Sequence, residues 1–171
     1  YDLLDEDERR LFTRLAVFSD GFSLEAAEAV GGRGLEGDAL ELVDSLLSKS
    51  LLYRVDGPDQ TTRLHMLATV QEFASEQLAA GGELEQMQAR HLDYFMRLAE
   101  TMERGFRYQG QLQLLRQVEA DFSNFRAAFA WAVAHERIEA AGRLMAGIDY
   151  YLLYSQQTGE GYRWAKQVVD R

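Results

Sequence analysis

The residue types that could do chemistry are scattered along this chain, and spacing decides what each can be. No two of its histidines, His65, His91 and His135, stand at the i, i+4 spacing by which one helix face holds zinc. Cysteine is absent, which excludes disulfides and thiolate metal sites. Gly31-Gly32-Arg33-Gly34 is the one glycine-rich loop. It lacks the spacing and the Lys-Ser/Thr pair of a phosphate-binding loop, so it reads as an interhelical turn. Carboxylates abound, but those from Asp5 to Glu8 and from Asp38 to Asp44 fall at expected helix starts, where capping accounts for them. No serine or threonine occupies a nucleophile elbow. The expectation is a chain without enzyme activity and without a cofactor or metal site of its own.

Basic residues are the other candidates. Lys49, Arg54 and Arg63 are the ones that could meet DNA, if Asp38 to Ser50 is a recognition helix and the following hairpin a wing. Against them the same helix sets Asp38, Glu41 and Asp44, and the whole chain has a formal net charge of −10. Carboxylates held against phosphate repel at close range, and the overall field disfavours nucleic acid and anionic membranes alike. DNA contact through this stretch is therefore not expected, and protein contact is. A second candidate surface is aromatic: Tyr150, Tyr151, Tyr154, Tyr162 and Trp164 gather near the end of the chain. They suit either the packing of a helical core or a concave face for a ligand or partner.

These residues have to be positioned by helices and one hairpin. Asp5-x-x-Glu8 has capping-box spacing, and Leu11, Phe12, Leu15 and Ala16 follow on one helical face. Ser23 can cap a short second helix with Leu24, Ala27 and Val30 inward, stopped by Gly31-Gly32. Asp38-x-x-Glu41 precedes a third, with Leu40, Val43, Leu46 and Leu47 as its buried stripe. The period then changes: Leu51 to Val55 and Thr61 to Met66 can pair around Gly57-Pro58-Asp59. A fourth helix, about residues 67–80, is expected to bury Val70, Phe73, Ala74 and Leu78 before Gly81-Gly82. Beyond it the pattern is helical only. Residues 83–102 carry Met87, His91, Tyr94, Phe95, Leu98 and Met102 on one side, with His91 a core or interface residue and not a ligand. Gly105 and Gly110 bracket a loop with Phe106 and Tyr108. Residues 111–135 place Leu112, Leu115, Val118, Phe122, Phe125, Phe129 and Ala132 inward, with Asp121 or Ser123 able to kink the helix. Residues 138–154 read as one helix, Gln156 to Gly161 as a turn, and Tyr162 to Val169 as the start of another that runs on to Arg171 uncapped.

Three helices and a two-stranded hairpin are the order of a winged helix-turn-helix, and the helices after it read as an antiparallel tetratricopeptide-like array. The expected division is residues 1–81 and 82–171. The longest wholly apolar run, Ala127 to Ala134, is too short to span a bilayer, and an acidic start without Met is no signal peptide. The chain therefore reads as a cytoplasmic fragment of a longer protein.

On the residues LDEDERRLFTRLAVFSDGFSLEAAEAV, LVDSLLSKSLL and MLATVQEFASEQL, the chain resembles the winged-helix segment of bacterial STAND-class ATPase transcriptional regulators. These are AfsR- and LuxR-type proteins related to the NB-ARC family. ADFSNFRAAFAWAV and GEGYRWAKQVV resemble the opening of their tetratricopeptide-like region. The resemblance implies a regulatory segment that couples an upstream, ATP- or ADP-binding module to a helical sensor for a protein or small-molecule inducer, in signal transduction. It also implies a nucleotide-sensing Met-His-Asp motif after the wing. Here those positions are Met66, Leu67 and Ala68, leaving His65, one residue early, as the candidate sensor.

Overall fold

A computed structural model of the protein describes residues 1, 3–106, 111–155 and 157–170. The expected loop residues Tyr108 and Gly110, the turn residue Gln156 and the terminal Arg171 lie outside the described residues. Two compact units divide at His91 and Leu92.

The first unit opens with α1 (Glu6–Leu15), started by the capping box that the spacing predicts: the Asp5 side chain accepts from the Glu8 amide, and Glu8 accepts from the Asp5 amide, both at 2.9 Å. Leu11, Phe12, Leu15 and Ala16 are all buried, as their period requires. Ser23 caps α2 (Leu24–Ala27), which widens into a π-helical turn, Glu28–Gly32. Gly31 makes that turn fit, because a Cβ there would lie 2.9 Å from Leu11. Asp38 caps α3 (Ala39–Ser48), accepting from the amides of Leu40 and Glu41. Asp7 fixes the turn between α2 and α3 to α1 by accepting from the amides of Glu36 and Gly37.

β1 (Tyr53–Asp56) and β2 (Thr62–His65) pair antiparallel, Tyr53 opposite His65 and Asp56 opposite Thr62, around a short 3-10 turn at Pro58–Gln60. Phe22 adds a bridge on the free side of β2, exchanging two backbone hydrogen bonds with Leu64 at 2.9 and 2.8 Å. α4 (Ala68–Ala80) follows, then the first turns of α5 (Leu84–Phe106). Phe18 stacks on Phe22 at 4.4 Å and meets the buried His91 edge-on at 5.3 Å. These rings, with Leu11, Leu15, Val30 and Leu46, form the core.

Two faces differ from expectation. In α3 the buried positions are Leu42, Val43 and Leu46, while Leu40 is 51% exposed. Capping by Asp38 sets the phase of the helix, and that phase turns its first turn outward. In α4 only Ala74 and Leu78 are fully buried. Phe73 is 40% exposed at the rim, where it packs against the rings of Tyr1 and Phe12, and Val70 is only half-buried. The small Ala74 is the fully buried neighbour, and the larger ring of Phe73 lies over the edge.

The second unit comprises the rest of α5 with α6 (Gln111–Ala134), α7 (Ile138–Gly147), α8 (Asp149–Tyr154) and α9 (Thr158–Val169), a helical array. Phe95 meets Phe125 edge-on at 5.2 Å, and Trp164 stacks on Phe129 at 4.1 Å with the rings 6° from parallel. α6 runs unbroken through Asp121 and Ser123, and its Leu112 is exposed where the periodicity set it inward. Residues 138–154 are two helices, not one. At Gly147 the chain passes so close to α5 that a Cβ would lie 2.6 Å from the carbonyl carbon of Ala99, and the helix ends there. α9 starts four residues before Tyr162.

Candidate interaction site of the winged helix

α3 is the second helix of the helix-turn-helix pair, so its outer face is where a winged helix meets a partner. That face presents Leu40, Glu41 and Asp44. Its one cation, Lys49, reaches back to Glu8 with Nζ 2.5 Å from Oε1. Ser45 donates to the same oxygen. The side-chain hydrogen bonds from Lys49 and Ser45 outweigh burial and hold the Glu8 carboxyl down at about 2. Lys49, though exposed, therefore binds α3 to the first turn of α1, and its charge is paired there.

The wing behaves likewise. Arg54 is exposed, but its Nη2 donates to Asp44 at 2.7 Å, an exposed pair that neutralises the nearest α3 carboxylate. Arg63, expected on the wing surface, is 8% exposed and donates to the Gly21 carbonyl. That bond turns its side chain toward the α1–α2 connection. The structure thus does not bring Lys49, Arg54 and Arg63 together as a basic stripe. His65 stacks on Tyr53 at 5.5 Å, its Nδ1 lies 3.5 Å from Asp20, and Gly21 leaves it room, since a Cβ there would sit 2.2 Å from the ring.

Charge is divided unevenly along the chain. Residues 1–91 hold 8 Lys and Arg against 18 Asp and Glu, whereas residues 92–171 hold 10 of each. The whole net charge of −10 belongs to the winged-helix unit.

Sequence reasoning missed one polar centre in that unit. Arg14 is buried, donates from Nε and Nη2 to Glu83 at 2.7 and 3.2 Å, and from Nη1 to the carbonyls of Gly31 and Arg33, both at 3.0 Å. It ties the end of the π turn to the start of α5. The Arg14 hydrogen bond holds the Glu83 carboxyl below its ordinary range. Periodicity could have found it, because Arg14 lies three residues after Leu11, on the apolar side of α1.

In the second unit the aromatic candidates separate. Tyr151 and Trp164 are core, and burial pushes the Tyr151 phenol up. Tyr150 stacks on Phe106 at 4.9 Å and donates to Gln111 at 3.1 Å. Tyr154 and Tyr162 are exposed. Tyr162 borders an apolar cavity of about 340 Å³ with Met145, Leu152, Leu153 and Ala165. Arg126 lies over the Phe122 ring at 5.0 Å and pairs with Glu160 through two hydrogen bonds of 2.7 and 2.8 Å, fixing α9 on α6. No helix among the described residues is long and apolar enough to cross a membrane.

Residues 4–79 match the winged helix-turn-helix domain family. Two relatives, each named "Putative HTH-type transcriptional regulator", from Mycobacterium tuberculosis and Mycobacterium bovis, are 33% identical over 98% of this chain. An uncharacterised Mycobacterium tuberculosis protein is 32% identical over 52% of this chain and 23% of its own length. The chain spans 19% of the length of the two named regulators. No solved structure matches significantly. The chain carries a winged helix-turn-helix domain at residues 4–79, followed by a helical array, and it is homologous to mycobacterial proteins named as HTH-type transcriptional regulators.

Proposed function

We propose that this chain is a non-catalytic regulatory segment of a larger transcriptional regulator, whose winged helix makes protein contacts. In this reading it couples a nucleotide-binding module elsewhere in the parent, the site of any ATP or ADP, to the helical array. The observation that carries this reading is the outer face of α3. An exposed Leu40 flanked by Glu41 and Asp44 suits an apolar anchor in a polar rim, and its single lysine is already held by Glu8. The second unit is then a tetratricopeptide-like sensor, with the cavity beside Tyr162 and the exposed Tyr154 as surfaces for a protein or small-molecule inducer. The parent works in the cytoplasm. The switch is a two-state packing change biased from both ends.

Leu40→Glu tests it in the intact parent regulator. Nucleotide turnover should change by about fivefold or more, while the isolated chain stays folded and turns over no ATP. Unchanged turnover in the parent, or turnover by the isolated chain, would sink the reading.

A second reading, sequence-specific DNA binding through α3 and the wing, is favoured by the domain family and by the names of the relatives. It requires duplex affinity that falls steeply with salt and weakens in Arg54→Gln. Absence of binding at low salt discards it.

A further inference from the structure

Half of the basic residues of the first unit converge on one place. Arg10, Arg14 and Arg90 bear on a single carboxylate, Glu83, and Arg33 adds its charge beside Arg90. Elsewhere in residues 1–91 the balance is 4 basic residues against 17 acidic ones. Arg14 is fully engaged, as described above. Arg10 approaches Glu83 only to 3.8 Å and is well exposed. The half-buried Arg90 has two contacts at the outer limit of hydrogen bonding, 3.5 Å to the Arg33 carbonyl and 4.0 Å to the Met87 sulfur. The Arg33 side chain is exposed, and no hydrogen bond or ion pair holds it among the described residues. Burial first, then the Arg14 and Arg33 charges, pull the Arg90 guanidinium below its ordinary value, only partly opposed by Glu83.

A guanidinium has five donors in a fixed fork, and leaving one half-buried with such contacts beside like charges is unfavourable. An anion with several oxygens would satisfy such forks. The glycine-rich loop leaves room for one: at Gly34, φ is +79°, and a Cβ there would meet nothing within 4 Å. We propose that Arg33 and Arg90 form a binding site for a phosphate dianion, either free or as the terminal phosphate of a small metabolite. Both forks donate to phosphate oxygens, which match guanidinium geometry, while Arg14 and Arg10 supply background charge. The loop has none of the lysine and hydroxyl chemistry of a nucleotide-triphosphate loop, so recognition rests on the two arginines alone. The site is independent of which partner α3 meets.

The test is thermal unfolding of the full chain at constant ionic strength, with chloride replaced by inorganic phosphate or by phenyl phosphate, alongside arginine Nε–Hε NMR spectra. Phosphate should raise Tm beyond chloride and move the Arg33 and Arg90 signals. A larger effect of phenyl phosphate identifies a phosphate monoester as ligand, and an effect of inorganic phosphate alone identifies the free ion. Arg33→Gln, a surface change that spares the fold, should weaken binding about tenfold, the loss of one charge-assisted contact of about 1.4 kcal/mol. Arg54→Gln should change nothing. Equal Tm in chloride and phosphate, or an undiminished phosphate effect in Arg33→Gln, overturns the proposal.

Discussion

Lys49 Nζ sits 2.5 Å from Glu8 Oε1, so the one cation of the outward helix α3 is bonded inward to the first turn of α1. The same carboxylate completes the capping box of α1 and accepts from Ser45. One side chain thus starts a helix, docks a second and pairs with the cation of the surface that would face DNA.

That arrangement predicts an acid limb in stability. The folded Glu8 carboxyl lies at about 2 against 4.5 unfolded, so its contribution is complete above pH 4.5 and is lost as pH falls toward 2. The shift corresponds to at most about 3 kcal/mol, less after solvent screening at Lys49, which is 31% exposed. Glu8→Gln keeps the capping geometry but cannot titrate. Urea unfolding followed from pH 5 to pH 2.5 should show a flatter fall for Glu8→Gln than for the parent chain. Parallel falls would mean that Glu8 is not the titrating partner.

Two phenylalanines in contact should respond differently to truncation. Phe12 is 1% exposed, and Phe12→Ala should cost about 3–5 kcal/mol. Phe73 touches Phe12 with ring centroids 6.5 Å apart but lies 40% open to solvent, so Phe73→Ala should cost only about 1–2 kcal/mol. Equal losses in chemical denaturation would place Phe73 in the core after all.

The contrast shows what was legible in the sequence. Capping at Asp5, Ser23 and Asp38, the stop at Gly31-Gly32 and the hairpin around Pro58 are local chemistry, and each stands where its residues predict. The rim position of Phe73 and the outward Leu40 depend on which neighbouring helix a face meets, which no single-helix period contains. The inward turn of Arg63 and the Arg14–Glu83 pair join residues 42 and 69 positions apart in the chain. For the same reason Lys49 reads as a free surface cation until Glu8, 41 positions earlier, is placed beside it.

Two residues without glycine's freedom occupy left-handed backbone at helix ends. Ser50 has φ +57° after α3, where the Leu51 amide bonds to the Leu46 carbonyl. Glu136 has φ +57° after α6, where the Arg137 amide bonds to the Ala132 carbonyl. Both are helix terminations that glycine suits best. Ser50→Gly and Glu136→Gly should each stabilise the chain by about 0.5–1 kcal/mol. Glu136→Gly should gain the more, because it also removes a negative charge from the carbonyl end of α6. A loss of stability in either variant would contradict the backbone assignment at that residue.

Gly147 and Gly159 should respond oppositely to alanine. Helix propensity favours alanine over glycine by up to about 1 kcal/mol at an unhindered helical position. Gly159 meets that condition: it lies in the first turn of α9, and a Cβ there has nothing within 4 Å. Gly159→Ala should therefore stabilise by about 0.5 kcal/mol. At Gly147 the added Cβ would stand 2.6 Å from the Ala99 carbonyl carbon and 2.7 Å from its oxygen. Backbone inside α5 cannot give way as a flexible side chain would, so α7 must move off as a unit. Gly147→Ala should cost about 2 kcal/mol or more despite its better propensity. Displacing α7 also moves Met145, so the apolar cavity shared with Leu152 and Tyr162 should change shape. Chemical denaturation of the two variants checks the signs, and a stabilising Gly147→Ala would mean that α7 does not approach α5 at Ala99.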